Sequence, residues 1–221
     1  AEGARINIEG FINVVEEAMD QDVEKVVYAS TSSMYGSVEP PHKEDMGEKP
    51  TNRYSASKMA RELYADVYAQ KGLDITGIRY FSVYGPREKA KGRFANVISQ
   101  FLWSMLDGES PKIFGDGEQT RDFTFVKDIA RANILAAEKG EAGQYYNIGT
   151  ETETSFNTVV EKLNEELGTD IEPEKVDNPI KNYVRRTRSD TSRAKEDLGY
   201  EPEYSFEEGL KETVEYYRDQ N

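Results

Sequence analysis

Residues 25–36 read KVVYASTSSMYG, and this stretch decides how the surrounding chain folds. Its first half, Lys25 to Ser30, is short, apolar and rich in β-branched residues, which is typical of a buried parallel strand. Its second half, beginning at Thr31, is a polar turn. Apolar residues recur at helical spacing in residues 4–20. The sequence therefore predicts a helix that leads into a strand, and the strand ends at a polar loop.

The same alternation continues along the chain. A second helix is predicted over residues 54–71 and a second strand from Asp74 to Phe81. Further helices are expected at residues 94–106, 127–139, 156–167, 192–198 and 206–217, and a third strand at residues 144–148. This order predicts an α/β fold, a Rossmann-like doubly wound parallel sheet. Ligands of such sheets bind beyond the carboxyl ends of the strands, here the turns after Ser30 and Phe81.

The composition excludes several classes of function. The 221 residues include no cysteine and one histidine, His42, so disulfides and most zinc sites are ruled out and no metal site is expected. A formal charge of -14 opposes binding to nucleic acids or anionic membranes. The 42 acidic residues fit either ordinary solubility or adaptation to high salt. With no membrane-length apolar stretch and no signal peptide, we expect a soluble, cytoplasmic protein of one compact domain or one domain with a small lobe.

A tyrosine and a lysine stand four residues apart at the start of the second predicted helix. Tyr54 and Lys58 therefore share one helical face, about one turn apart. An ammonium beside a phenol favours the phenolate and lowers the pKa of the phenol from about 10, so that it can exchange protons with a substrate hydroxyl. The spacing also arises by chance on solvated helices, so its meaning depends on the surrounding motifs.

Four ordered motifs supply that context. They are VVYASTSSMYG at 26–36, RYFSVYGPR at 79–87, IFGDGEQTRDF at 113–123 and YNIG at 146–149. With the Tyr-x-x-x-Lys pair, they resemble the extended short-chain dehydrogenase/reductases, in particular the branch of NAD-dependent nucleotide-sugar epimerases and dehydratases. The resemblance extends from the first helix to the last.

The resemblance implies a catalytic trio, Thr31, Tyr54 and Lys58, and NAD as cofactor. Tyr54 would take the proton from a sugar hydroxyl while hydride passes from the same carbon to NAD. Thr31 would hydrogen-bond to that oxygen, and Lys58 would hold the nicotinamide ribose. Phe81 and Val83 would complete the cofactor contacts. In an epimerase the keto-sugar then turns over, and hydride returns to its other face.

The resemblance also implies residues for a nucleotide-sugar substrate. Arg121 would grip the diphosphate, since a guanidinium offers bidentate donors, although a surface arginine paired with a carboxylate is the ordinary alternative. Phe114 would lie against the base, unless it is a core residue. Thr187 would leave room for an N-acetyl group on the sugar. The other positions are Ser82, Asn96, Val97, Lys181 and Arg185.

Three departures from the family pattern bear on substrate and cofactor. Ser82 stands where many 4-epimerases carry asparagine, and Ile180 where they carry a second diphosphate arginine, which Lys181 or Arg185 could replace. No Gly-x-x-Gly-x-x-Gly turn, the cradle for the NAD pyrophosphate, occurs in the sequence. We therefore expect an N-terminally truncated NAD-binding domain over residues 1–90 and mainly a small substrate-binding lobe over 91–221, with residues 123–150 returning to the first domain. By itself the chain would be inactive.

Ser32 and Ser33 separate the possible activities. Dehydratases of this branch carry an acid and a base directly after the position of Thr31, so the two serines argue against a dehydratase or decarboxylase. A 4-epimerase of UDP-glucose and UDP-galactose, or of N-acetylhexosamine nucleotides, comes first and a nucleotide-sugar reductase second. An inactive fragment that retains a substrate-binding or dimerisation surface is a third possibility. By resemblance, the helices at residues 4–20 and 54–71 would form a homodimer interface.

Overall fold

The computed structural model describes residues 2–47 and 49–220. In chain order its helices are α1, which runs from Glu2–Ala4 through a π-helical turn Arg5–Glu9 into Gly10–Asp20, then α2 Arg53–Gln70, α3 Val97–Leu106, α4 Val126–Lys139, α5 Phe156–Leu167 and α6 Phe206–Arg218. The strands are β1 Val26–Thr31, β2 Ile75–Tyr80, β3 Val83–Tyr84, β4 Lys112–Phe114, β5 Thr120–Arg121, β6 Thr124–Phe125, β7 Tyr145–Ile148, β8 Thr154–Ser155 and β9 Glu174–Val176. A 3-10 turn lies at Ser32–Tyr35, a 3-10 segment with a kink at Gly92 lies at Lys89–Phe94, and a π-helical turn lies at Ala194–Leu198.

The main sheet consists of parallel strands in the order β1-β2-β7. Thr31 pairs with Tyr80, and Tyr80 pairs in turn with Ile148, so the carboxyl ends of the strands meet at one edge of the sheet. The amide N–H of Phe81 extends the pairing by donating to the Ile148 carbonyl oxygen at 3.0 Å. The α/β, Rossmann-like prediction is therefore confirmed, and the turns after Ser30 and Phe81 are neighbours.

Helices cover both faces of this sheet. On one face, α1 and α2 pack against the strands through Phe11, Val15, Tyr28, Tyr68 and Ile75. On the other face, α4 packs against β2 and β7 through a cluster that contains Ile78, Ile129, Ala132, Tyr146 and Ile148. Successive side chains of a strand point to opposite faces, so Ile75 and Ile78, three residues apart in β2, lie on opposite sides of the sheet. This two-sided burial explains the continuous apolar run at residues 26–29 in β1.

Gly77, in the middle of β2, leaves room for the side chains that pack on the first of these faces. A Cβ at this position would lie 2.7 Å from the ring of Tyr28, which is too close for any larger residue. Tyr28 can therefore lie flat across the neighbouring strand.

The C-terminal half builds a core of its own beside the sheet. Its buried side chains come from α3, α5 and α6 and include Ile98, Phe101, Val159, Leu163 and Leu210. Three two-stranded pairs, β3-β6, β4-β9 and β5-β8, connect this lobe to the edge of the sheet where the polar turns lie.

One predicted helix end was wrong. We predicted that the third helix begins at Phe94, whereas α3 begins at Val97. The side chain of Asn96 accepts a hydrogen bond from the Ile98 amide at 3.0 Å and caps the helix there, a role that asparagine fills well. In the described part of the chain, no helix is both long enough and apolar enough to cross a membrane.

Candidate active site

The strand β1 ends at Thr31, the first member of the predicted trio. The side chain is buried, and its Oγ1 accepts a hydrogen bond from the Ser33 amide at 3.2 Å, which turns the chain sharply into the 3-10 turn. The turn ends at Gly36, whose φ of 58° is a left-handed conformation and where a Cβ would collide with the Lys49 carbonyl oxygen. Glycine is thus required for the loop to fold back beside Thr31.

Tyr54 and Lys58 enter the site from the first two turns of α2. Asn52 caps this helix, because its Oδ1 accepts from the Ser55 amide at 2.9 Å and the Ser55 Oγ lies 3.4 Å from the Asn52 amide. The cap fixes where the helix begins and hence which way Tyr54 points. The Tyr54 side chain is 50% exposed, whereas Lys58 is 8% exposed.

The buried ammonium of Lys58 is held between strand and helix. Its Nζ donates to the Ala29 carbonyl oxygen at 3.1 Å and lies 5.7 Å from the centre of the Tyr54 ring. Burial, with a smaller effect of the nearby Arg61, lowers the pKa of Lys58 to about 8. A positive charge beside a half-exposed phenol is the arrangement that proton exchange with a bound hydroxyl requires.

Residues 81–83 form the second polar turn. The Phe81 ring is buried and lies 6.1 Å from the rings of both Tyr35 and His42, so at this position the backbone is what faces the edge of the sheet. Ser82 adopts a φ of 22°, a strained value that turns the chain from β2 into β3, and Val83 is half-buried.

A cleft of about 250 Å³ opens beside these turns. It brings together four predicted substrate residues from distant parts of the sequence, Ser82, Arg121, Lys181 and Thr187. Ser32 and Ser33 also line it, directly after Thr31. The described lining includes no aspartate or glutamate, although the chain has 42 acidic residues. The cleft is therefore a local region of positive charge in an acidic protein.

Arg121 forms one wall of the cleft without a carboxylate partner among the described residues. Its Nη1 donates to the Thr120 carbonyl oxygen at 2.7 Å, and the guanidinium lies 5.4 Å from the Tyr183 ring and 5.5 Å from the Phe156 ring. Burial lowers the pKa of Arg121, since a charged group loses hydration there. The ordinary alternative, a surface arginine paired with a carboxylate, does not describe this side chain.

Four of the predicted substrate residues lie outside the lining of the cleft. Arg185 is exposed and pairs with Asp116 at 3.0 Å. Asn96 donates through its Nδ2 to the Val83 carbonyl oxygen at 2.9 Å while its Oδ1 caps α3, where Val97 is the first helical residue. Phe114 ends β4 with a partly exposed ring. Their role in binding stays a prediction.

Sequence reasoning missed several residues of the cleft. Asn182, Tyr183 and Val184 contribute to its wall, as do Thr51 and Asn52 just before α2. Tyr183 lies in sequence between Lys181 and Arg185, which the resemblance offered as replacements for a diphosphate arginine at Ile180, and this proximity was the available signal.

The parallel sheet ends at Thr31, whereas Tyr54 and Lys58 lie on the helix beside it, and a cationic cleft opens next to them. This fold and arrangement define the class of the short-chain dehydrogenase/reductases. A family model, the NAD dependent epimerase/dehydratase family, matches residues 1–149. The chain belongs to this family.

Curated proteins and solved structures agree with this membership. The chain is 37% identical to a UDP-glucose 4-epimerase of Mycolicibacterium smegmatis over 99% of its own length and 70% of the relative's. It is 34% identical to a UDP-N-acetyl-alpha-D-glucosaminuronate decarboxylase of Bacillus cytotoxicus, over 96% of this chain and 69% of that protein. A crystal structure of UDP-glucose 4-epimerase from Thermotoga maritima with UDP-glucose matches with a TM-score of 0.93 and 40% identity, over 98% of this chain and 71% of that one. Relatives with different reactions on UDP-sugars thus share this fold.

Proposed function

We propose that this protein is a nucleotide-sugar 4-epimerase that uses transient hydride transfer to NAD. The observation that carries the proposal is the position of Lys58. Its Nζ binds the Ala29 carbonyl oxygen two residues before Thr31, lies 5.7 Å from the centre of the Tyr54 ring, and belongs to a region next to the cleft that Arg121 lines. The substrates proposed are UDP-glucose and UDP-galactose or their N-acetylhexosamine counterparts.

In this proposal the three side chains divide the work of proton transfer. Tyr54 takes the proton from the sugar hydroxyl and returns it after the sugar has turned over. Thr31 hydrogen-bonds to the same oxygen, and Lys58 stabilises the phenolate of Tyr54 by its charge. Hydride acceptance and return is the chemistry that NAD supplies when bound.

The residues at the sheet edge suit the nicotinamide end of that cofactor. Among the described residues Lys58 donates one hydrogen bond, to the Ala29 carbonyl oxygen, which leaves two of its three N–H donors for ribose hydroxyls. Tyr54, the backbone of Phe81 and the half-buried Val83 border the same region. The sequence has no Gly-x-x-Gly-x-x-Gly turn for the pyrophosphate, so these residues fit the nicotinamide end of the cofactor alone.

The cleft supports the nucleotide-sugar part of the proposal. The charges of Arg121 and Lys181, unopposed by any carboxylate of the described lining, attract a diphosphate. Ser32 and Ser33 offer hydroxyls to the sugar but no acid that could expel water, which favours an epimerase over a dehydratase. A homodimer through α1 and α2 belongs to the same proposal.

The proposal can be tested with a fusion protein. The segment of the Mycolicibacterium smegmatis relative that this chain does not match is placed before the chain, and the fusion is assayed for epimerase activity. With NAD, UDP-glucose should convert to UDP-galactose without net absorbance change at 340 nm. Tyr54→Phe should lower turnover by at least about 10²-fold and leave the affinity for UDP-glucose nearly unchanged. Stoichiometric consumption of NADPH would instead identify a reductase. Near-native turnover of Tyr54→Phe would refute the catalytic assignment.

A further inference from the structure

Arg61 lies on the same face of α2 as Tyr54 and Lys58, although none of the sequence motifs includes it. The three residues stand at i, i+4 and i+7, which aligns them along one stripe of the helix. Side chains on a helix lean toward its N-terminus, so the long Arg61 side chain reaches back toward Lys58.

The guanidinium of Arg61 is held in place at the junction of α1 and α2. Its Cζ lies 4.7 Å from the centre of the Phe11 ring, and Phe11 is itself buried against the sheet. A cation over an aromatic face gains electrostatic energy there. The Arg61 Nε is buried and has no hydrogen-bond acceptor among the described residues. Arg61 is therefore a partly buried charge that the Phe11 ring holds at a defined place, and water screens its field less than that of a fully exposed arginine.

Lys58 and Arg61 are two neighbouring cations that no described carboxylate neutralises. The carboxylates that face this region are engaged with other groups. Glu62 binds Arg79 at 2.6 Å and accepts from Ser30, and Glu16 of α1 accepts from the Tyr68 hydroxyl at 3.1 Å.

Two further titratable groups complete the surroundings. Burial, together with Glu62, raises the pKa of Asp66, and burial strongly raises the pKa of Tyr28 on β1, so that this phenol stays neutral. The positive potential of the pair thus reaches the half-exposed phenol of Tyr54 on the same stripe.

We propose that Arg61 is a positioning residue of the proton-transfer site: as a second fixed cation it controls the charge state of Lys58 and keeps positive charge near Tyr54 when Lys58 loses its proton. The proposal rests on the proposed roles of Tyr54 and Lys58. With the pKa of Lys58 at about 8, the ammonium titrates just above neutrality. Burial also lowers the pKa of Arg61, but a guanidinium starts high enough to stay charged through that range.

The charge state of Lys58 can be measured directly in the 221-residue chain, without cofactor or substrate. The side-chain Cε and Nζ resonances are followed by NMR from pH 6 to 11 and assigned with Lys58→Met. Arg61→Met, which keeps the length and the contact with Phe11, should raise the pKa of Lys58 by about one unit, the size of a neighbouring like charge. Arg61→Lys should leave it within about 0.3 units of wild type.

Arg53→Met is the matched control, because it removes the same charge from an exposed position of the same helix. It should shift the Lys58 titration by clearly less than Arg61→Met. An unchanged Lys58 titration in Arg61→Met, or an equal shift in Arg53→Met, would overturn the proposal. Because this measurement involves no turnover, an active Tyr54→Phe enzyme would refute the proposed function without affecting the link between Arg61 and Lys58.

Discussion

The Nζ atom of Lys58 lies 3.1 Å from the carbonyl oxygen of Ala29, and this contact joins the second turn of α2 to β1 two residues before Thr31. The helix that carries Tyr54 and the strand that carries Thr31 are thereby held in one arrangement. The contact places the charged ammonium in a site with little water. The free-energy cost of burying this charge should lower the stability of the folded chain.

We predict that Lys58→Met stabilises the chain at neutral pH. The pKa of Lys58 is about 8 in the folded chain, whereas its ordinary value is 10.5. Below pH 8 the lysine is charged in both the folded and the unfolded chain, and burial of this charge then disfavours folding. The penalty vanishes as the pH rises through 10.5. After allowance for the lost bond to Ala29, the free energy of unfolding should increase by on the order of 2 kcal/mol at pH 7.

Urea denaturation of wild type and variant at several pH values measures this difference. The gain should shrink steadily between pH 8 and pH 10.5. Lys71→Met, at the exposed end of the same helix, is the control and should not change the pH dependence. A destabilised Lys58→Met at pH 7 would mean that the bond to Ala29 outweighs the burial of the charge.

The strands and most helices followed from sequence because their apolar periodicity is local. Phe156–Leu167 has the predicted bounds, and the three strands of the main sheet differ from prediction by at most one residue at each end. The pairs β3-β6, β4-β9 and β5-β8 were not predicted. Each strand in them has two or three residues, too few for a periodic signal, and its partner lies far away in sequence.

The site was predictable to a different degree. The trio and Arg121 stand in motifs, whereas the wall formed by residues 182–184 has no pattern of its own and depends on how the segment after β9 folds over the cleft. The two roles of Asn96, as helix cap and as donor to Val83, depend on the tertiary structure, which a motif does not reveal. Arg61 was missed because it stands in no motif, and its contact with the Phe11 ring depends on how α1 and α2 pack.

Thr187 should decide whether the cleft accepts an acetylated sugar. It lines the cleft, where its Oγ1 lies 3.4 Å from the Asp122 amide, and a threonine leaves more room than an aromatic residue. We predict that wild type binds UDP-glucose and UDP-N-acetylglucosamine with similar affinity. Thr187→Tyr should weaken the binding of UDP-N-acetylglucosamine at least about tenfold more than the binding of UDP-glucose.

Calorimetric titration of both ligands gives this ratio. Thr152→Tyr adds the same bulk outside this cleft and should leave the ratio unchanged. A wild-type chain that strongly rejects the acetylated ligand would show that another residue limits the pocket.

The exposed apolar residues of α1 and α2 should form a homodimer interface. Leu63 is 60% exposed and Val67 is 47% exposed, and Val14 of α1 adds to the same kind of surface. Burying such residues against a second copy of the chain is favourable by roughly 25 cal/mol for each Å² of apolar surface removed from water. Leu63→Glu with Val67→Glu should therefore produce monomers in sedimentation velocity. Ile134→Glu places a charge at a residue of α4 that is 58% exposed and should leave the dimer intact. A dimer that survives the double change would point to another surface.

Binding of NAD to this chain depends on which groups can hold the pyrophosphate of the cofactor. A dinucleotide is bound chiefly where glycines let the backbone approach the pyrophosphate and a helix N-terminus offers free N–H groups. The 221 residues contain no Gly-x-x-Gly-x-x-Gly turn, and a formal charge of -14 gives the pyrophosphate little general attraction. Tyr54, Lys58 and the turn after Phe81 can meet only the nicotinamide end. We therefore expect the 221-residue chain to bind NAD weakly, if at all, and to show no epimerase activity by itself. Calorimetric titration decides, with UDP-glucose as the control that the cleft is folded. Micromolar binding of NAD at one site per chain would mean that the pyrophosphate is held by groups other than a glycine-rich turn.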